Sequence, residues 1–264
     1  MRLHFTKLSG NGNDFVLIED PGVALSPELI QRLCDRHFGV GADGVLVAGP
    51  SLTADVKMTI YNADGSCASM CANGARCLGD YYHRRMSNPK RDEYVIETAK
   101  SLYPIIYKNN SFALQMTEKK DIEKYNLDFL DDLKTKKTFF IDTGVPHVVI
   151  EVDNVDEVDL MYWGKKIRFH ERFPNGTNVN FFHRLPAQQT ARVRTYERGV
   201  ENETFSCGTG LAATAWACHQ FYGWKNEMKF HTKGGLHTLT LDDKDQLFLQ
   251  GEVTWCFEGD FEWL

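Results

Sequence analysis

Two cysteines of this chain stand where a thiol could do acid–base chemistry. Cys71 lies in Met70-Cys71-Ala72-Asn73-Gly74-Ala75, and Cys207 in Ser206-Cys207-Gly208-Thr209-Gly210-Leu211. Each leads into a stretch rich in Ala, Leu and Arg and free of Pro, which predicts a helix starting at the cysteine. A helix N-terminus carries partial positive charge and N–H groups without intrahelical acceptors. It lowers a thiol pKa from about 8.5 toward neutrality and so supplies a thiolate. The same N–H groups can bind a carboxylate, and flanking glycines let the backbone come close to it. Two such thiols on opposite sides of one α-carbon could invert it. The thiolate takes the α-proton from one face, and the thiol returns a proton to the other. That requires one thiolate and one thiol together, so the pair titrates as a unit. The enediolate charge develops on oxygens that the N–H groups already face.

Other chemistries account for less of the sequence. A cysteine hydrolase needs one Cys and a His partner, for which His147 is available, but the second cysteine is then idle. Gly39-Val40-Gly41-Ala42-Asp43-Gly44 has the letters of a dinucleotide fingerprint. It follows a helix-like segment and precedes a strand, the reverse of the order that fold needs. Pyridoxal phosphate would need a Schiff-base lysine, and that alternative stays open from residues alone. A non-catalytic binding protein would be favoured by loss of either cysteine, and both are present. Of the seven cysteines, only Cys67 and Cys71 have a zinc-like spacer, with no matching second pair, so no metal is expected. The odd count argues against a disulfide framework. Cys34, Cys67, Cys77, Cys218 and Cys256 read as small buried hydrophobes.

The elements that must position the two thiols form a duplication. The cysteines are 136 residues apart, and Tyr61 and Tyr196, which precede them, are 135 apart. Gly41–Leu46 matches Gly176–Phe181 at an offset of 135, and Asn13–Ile18 matches Pro146–Ile150 at about 133. Strands are expected at Phe15–Ile18, Val45–Val47, Val56–Ile60 and Tyr94–Glu97, then at Phe139–Ile141, Val148–Val152, Val179–Phe182 and Ala191–Thr195. Helices are expected at Asn73–Arg85 and Thr209–Tyr222, with shorter ones at Pro27–Arg36 and Val155–Lys165. Leu211–His219 is apolar nearly all round, the pattern of a buried helix. Each half therefore reads as a strand-rich shell around a buried helix. The boundary is expected in the polar stretch Tyr107–Ser111, with the C-terminal Phe257–Trp263 returning to the first half. That gives residues 1–110 with 254–264 as the half carrying Cys71, and 111–253 as the half carrying Cys207.

Composition sets the outer limits. The chain has 264 residues, 42% hydrophobic and 25% charged, with a formal net charge of −6, which is ordinary globular material. No basic face for nucleic acid is evident; Lys119-Lys120 and Lys134–Lys137 read as solvated loop charge. No apolar run is long enough for a membrane span. The N-terminal Met1–Lys7 lacks a signal-peptide core and reads as a strand, so a cytoplasmic protein is expected.

With these residues in view, the chain resembles the diaminopimelate epimerase family over nearly its whole length. Gly12-Asn13-Asp14-Phe15, Gly39–Gly44, Asn62–Ser66, Met70–Cys77, Pro146-His147, Tyr196-Glu197-Arg198-Gly199 and Ser206–Gly210 carry the resemblance in order. It implies an α+β fold of two pseudo-symmetric halves, each a strand-rich barrel around a central helix, with the active site in the cleft between them. It implies a cofactor-independent isomerase that interconverts LL- and meso-diaminopimelate in lysine and peptidoglycan-precursor biosynthesis, usually as a homodimer. By the same resemblance Cys71 and Cys207 are the acid–base pair, supported by His147 and Glu197. Asn13, Asn62, Asn178, Glu197 and Arg198 would contact a small amino-acid substrate, and the backbone of Ala72, Asn73, Gly208 and Thr209 would hold its reacting carboxylate. Two positions depart from the family pattern. Ala72 replaces the usual Gly after the first cysteine. Val145 stands where many members carry an Asn that contacts the far end of the substrate. A related two-cysteine racemase acting on another amino acid is the alternative.

Overall fold

Phe15, Val16, Leu17 and Ile18 are four consecutive buried residues, a pattern that arises when a strand is covered on both faces. The computed structural model, which describes residues 2–86, 88–116, 122–124, 127, 130 and 133–263, shows what covers them. The strand Asn13–Glu19 pairs in parallel with Gly44–Gly49, with Val16 opposite Val45. A parallel pair needs a crossover, and helix α1 (Pro27–Cys34) supplies it. Leu29, Ile30 and Leu33 of α1 pack on Val16, Ile18, Val45 and Val47 from one side. Ser26 caps this helix by accepting from the Leu29 amide at 3.3 Å, and Pro27 begins it. Helix α2 (Ala72–Tyr81) packs against the same strands, and Asn73–Tyr81 are all buried.

The chain divides into two compact units, Met1–Gln115 with Gln250–Leu264, and Met116–Leu249. In the first unit, Arg2–Gly10 runs antiparallel to Asn13–Glu19 and to the C-terminal strand Val253–Glu262. Gly44–Gly49 pairs antiparallel with Val56–Asn62, which runs parallel to Glu93–Glu97. The hairpin Leu102–Lys108 and Ser111–Gln115 follows. The expected boundary at Tyr107–Ser111 coincides with this hairpin's turn. Asn109 and Asn110 take φ values of 53° and 58°, as a tight hairpin turn requires, so the polar residues there serve a turn and the units divide a few residues later.

The second unit repeats the plan. Pro146–Val152 pairs in parallel with Asn178–Arg184, with Val148 opposite Val179. Asn178–Arg184 runs antiparallel to Thr190–Glu197, which runs parallel to Glu227–Thr232. The crossover helix α3 (Leu160–Arg168) packs Trp163 and Ile167 against Val148, Ile150 and Val179. Helix α4 (Gly208–Tyr222) is the buried counterpart of α2, with Gly210–Cys218 wholly buried. It ends on Gly223 at φ 67°, the left-handed cap that glycine adopts without strain.

Four expectations are corrected. The helix expected over Asn73–Arg85 stops at Tyr81 and passes into a π-turn, Tyr82–Met86. The helix expected over Val155–Lys165 is broken: Asn154 caps a short 3-10 turn, Val158 is extended at ψ 123°, and Asp159 starts α3 afresh by accepting from the Tyr162 amide. Lys136 and Lys137 are exposed but belong to the strand Thr135–Asp142, not a loop; Lys119-Lys120 lie outside the described residues. Cys67 and Cys256 are exposed, because the first follows a surface turn and the second lies on an outward face of the C-terminal strand. No helix among the described residues is long and apolar enough to cross a membrane.

Candidate active site

Each expected catalytic thiol is the N-cap of a buried helix. Cys71 has extended backbone angles, φ −143° and ψ 119°, and its Sγ accepts from the Gly74 amide at 3.4 Å. This takes the place of the hydroxyl of a Ser or Thr cap. Cys207 holds the same place on α4, at φ −115° and ψ 105°. Gly74 and Gly210 keep both first turns tight. A Cβ on Gly74 would lie 3.0 Å from Leu46 Cδ2, and one on Gly210 would lie 2.2 Å from Asn180 Oδ1. Ala72 has no positive φ, so its methyl replaces the family's usual Gly without backbone strain.

Around Cys71 the polar groups form a chain. Asp43 is acceptor-only, so Asn13 must turn its Nδ2 toward it, and does so at 2.8 Å. That leaves Asn13 Oδ1 facing Cys71 Sγ at 3.7 Å. Arg36 holds Asp43 at 2.9 Å and grips Asp14 with two hydrogen bonds, at 2.7 and 3.0 Å. Burial works to raise the Asp14 carboxyl, but hydrogen bonds and charge from Arg36 and Lys7 outweigh it and hold the group well below the usual carboxylate range. Asn62 lies in this unit at the exposed end of the strand Val56–Asn62, its Nδ2 bound to Ser66 Oγ at 2.9 Å. Asn73 is buried in the first turn of α2, and its Oδ1 accepts from Arg76 at 2.9 Å.

The second unit gathers the other expected residues. His147 is fully buried. Asn180 fixes its tautomer. The Asn180 Oδ1 accepts from Thr195, while its Nδ2 donates to the Val148 carbonyl at 3.1 Å and to His147 Nδ1 at 3.1 Å. His147 Nδ1 is therefore the acceptor and Nε2 carries the proton. That Nε2 has no hydrogen-bond partner among the described residues. Burial, helped by the nearby Arg198 charge, depresses the imidazole to about 3, so it is neutral across the working range. Burial raises the Glu197 carboxyl, and the neighbouring Thr204 and Cys207 side chains work the other way. Burial also drives the Cys207 thiol far up, and the Glu197 charge adds to this. Thr209 Oγ1 lies 3.6 Å from Cys207 Sγ. Burial pushes the Cys34 thiol to about 11 and the Cys77 and Cys218 thiols higher, as expected of packing residues.

Glu201, three residues after Arg198, binds Arg168 at 3.0 Å. The Arg198 guanidinium donates to the Asn175 carbonyl at 3.0 Å, and among the described residues it makes no ion pair. Its backbone amide donates to Asn178 Oδ1 at 2.9 Å, while Asn178 Nδ2 donates to the Pro146 carbonyl at 3.1 Å. Asn178 thus ties the strand that carries His147 to the turn that carries Arg198. Val145 sits in the turn before that strand, its carbonyl accepting from Thr143. Sequence reasoning missed Asn180, Asp43 and Arg76. Asn180 was discoverable, because it shares a strand face with Asn178 at a spacing of two.

This arrangement is a duplicated α+β fold that other proteins share. The structure matches a Bacillus anthracis phenazine biosynthesis protein of the PhzF family with a TM-score of 0.79 at 14% identity, over 99% of both chains. It matches a hydroxyproline epimerase from Agrobacterium vitis at 0.70 and 14%, over 98% of this chain and 91% of that one. Sequence narrows the class. Residues 5–120 and 139–256 match the family described as diaminopimelate epimerase. The chain is 37% identical to the diaminopimelate epimerase of Archaeoglobus fulgidus, over 98% of this chain and 96% of that protein. It is 38% identical to that of Aquifex aeolicus, over 97% of each. This chain belongs to the diaminopimelate epimerase family.

Proposed function

We propose that this protein inverts one α-carbon of diaminopimelate, interconverting the LL and meso forms, with Cys71 and Cys207 as the two acid–base groups. The observation that supports this most directly is the pair of cysteines, each capping the buried helix of one repeat unit. A thiol at such a cap lies beside first-turn amides that have no intrahelical acceptors and that suit a carboxylate. One thiolate removes the α-proton, the amides take up the enediolate charge, and the other thiol reprotonates the opposite face. In this reading the backbone of Ala72, Asn73, Gly208 and Thr209 binds the reacting carboxylate. Asn13, Asn62, Asn178, Glu197 and Arg198 recognise the rest of the substrate. Arg198 suits the distal carboxylate, because it makes no ion pair among the described residues and can form a bidentate one. Glu197 and His147 orient and tune the reacting groups. The enzyme would work in the cytoplasm as a homodimer.

The test is incubation of LL-diaminopimelate with the protein in deuterated water, followed by proton NMR. The expected result is loss of the α-proton signal together with formation of the meso isomer. Cys71→Ala and Cys207→Ala should each lower the rate by roughly 10²–10⁴-fold, the usual contribution of a general acid or base. A wild-type protein that leaves LL-diaminopimelate unexchanged but racemises a single-centre amino acid would overturn the substrate assignment. Full activity in either cysteine variant would overturn the mechanism.

A further inference from the structure

The side chain of Arg76 is completely buried in α2, and among the described residues no carboxylate pairs with it. Its Nη2 donates to Asn11 Oδ1 at 2.8 Å and to Asn73 Oδ1 at 2.9 Å, both neutral amides. Its Nε and Nη1 make no hydrogen bond among the described residues. An isolated buried guanidinium is among the costliest groups a fold can carry, since removal from water is not repaid by an opposite charge. The fold nevertheless makes room for it. A Cβ on Gly251 would lie 2.6 Å from Arg76 Nη1 and 2.1 Å from Asn11 Oδ1, and one on Gly10 would lie 3.0 Å from the Asn73 carbonyl. Two strands therefore close tightly over this end of α2.

We propose that Arg76 is a positioning residue of the acid–base site: a buried cation that stabilises the Cys71 thiolate and fixes Asn73 in the first turn of α2. This rests on the two-thiol reading above. Burial lowers the guanidinium only to about 10, so it stays charged at neutral pH. The ionisable groups that its charge reaches are Cys77 and Cys71. Burial keeps Cys77 a neutral thiol, which leaves Cys71 as the group able to answer the charge. The other titratable groups around this helix are otherwise engaged. Asp80 pairs with Arg84 at 2.9 Å, Lys7 and Arg36 are bound to Asp14, and Cys256 is exposed on the C-terminal strand.

The duplication supplies an internal control. Five residues after Cys71 stands Arg76, and five after Cys207 stands Ala212, which is buried and uncharged. After the shared tyrosine the relation reverses: Asn62 follows Tyr61, whereas Glu197 follows Tyr196. The repeat that carries Cys71 thus has a cation and a neutral amide at positions where the repeat that carries Cys207 has a methyl and a carboxylate. The first environment favours the thiolate and the second the thiol.

Full-length Arg76→Met and Arg76→Lys, each in a Cys207→Ala background, test this by the pH dependence of Cys71 alkylation with iodoacetamide, read by mass spectrometry. Arg76→Met should move the midpoint up by about one pH unit, a roughly tenfold loss of thiolate at pH 7, while Arg76→Lys stays near the parent. Arg76→Met should also melt at or above the parent temperature, because it removes an unpaired buried charge. An unmoved midpoint, or a lowered melting temperature with an unmoved midpoint, would overturn the proposal. If Arg76→Met does not fold, Arg76→Gln, which keeps an amide donor, is read by the same criteria. The alkylation needs no substrate, so failure of diaminopimelate turnover in the wild-type protein and failure of the Arg76 proposal are separate results.

Discussion

Acid should unfold the second unit partly through one residue, His147. Its imidazole is buried and depressed to about 3, against 6.5 for a free histidine. A group depressed on folding stabilises the native state above its unfolded pKa, and that stability drains away as pH falls toward the folded value. From pH 7 to pH 5 the unfolded chain gains about 1.5 pH units of protonation that the native state refuses, which at 1.36 kcal/mol per unit is about 2 kcal/mol. The full loss, near pH 3, approaches about 5 kcal/mol. Urea unfolding of the wild-type protein and of His147→Gln at pH 7 and pH 5 measures this. The second unit holds Trp163, Trp216 and Trp224, so tryptophan fluorescence reports on it. His147→Gln should lose about 2 kcal/mol less than the wild type over this interval, since carboxylate titration is common to both. Equal losses in the two proteins would refute the claim that His147 is held neutral. The same neutrality leaves Nε2–H as the group the imidazole can offer, and activity should show no ionisation assignable to His147 near pH 6.5.

Gly210→Ala should lower stability by about 1–3 kcal/mol, the usual cost of overpacking, since its Cβ would lie 2.2 Å from the Asn180 oxygen. A thermal melt checks this, and an unchanged melting temperature would contradict the close approach. Asp43→Ala should release Asn13 Nδ2, allow the amide to turn and donate to Cys71, and so lower the pH midpoint of Cys71 alkylation; a midpoint that rises or stays put would show that Asp43 does not set the Asn13 orientation.

Much of this fold was legible because its signals are local. Eight strands fell where β-branched and aromatic residues cluster, and α4 announced its burial by being apolar all round. The matched cysteines and tyrosines exposed the duplication, and the parallel registers in each unit repeat it. Helix ends were less legible. The break between Val158 and Asp159 depends on a cap that competes with an otherwise helical composition, and the π-turn after Tyr81 has no periodic signature. Strands such as Leu102–Lys108 and Gly235–Leu241 mix polar with apolar residues and take their places by pairing with neighbours. In the site, the residues that touch the thiols were readable from motifs. Those one step away were not: Asp43 reaches Cys71 through Asn13, and Asn180 contacts His147, relations that sequence spacing does not encode.

The duplication repeats the scaffold more faithfully than it repeats the charges. Both units build a parallel strand pair, a crossover helix on one face and a cysteine-capped helix on the other. Yet Asp14, bound by Lys7 and Arg36, opens the first parallel pair, whereas His147, neutral and held by Asn180, opens the second. Two identical half-sites would give two thiols of equal acidity, and the proposed two-thiol mechanism, which needs one thiolate and one thiol, would then have no preferred arrangement. Moving the ionisable residues while keeping the backbone removes that degeneracy. The glycines that let each first turn close up serve the geometry common to both units, and under the proposed two-thiol mechanism the differing groups behind the sulfurs would suit one thiolate and one thiol.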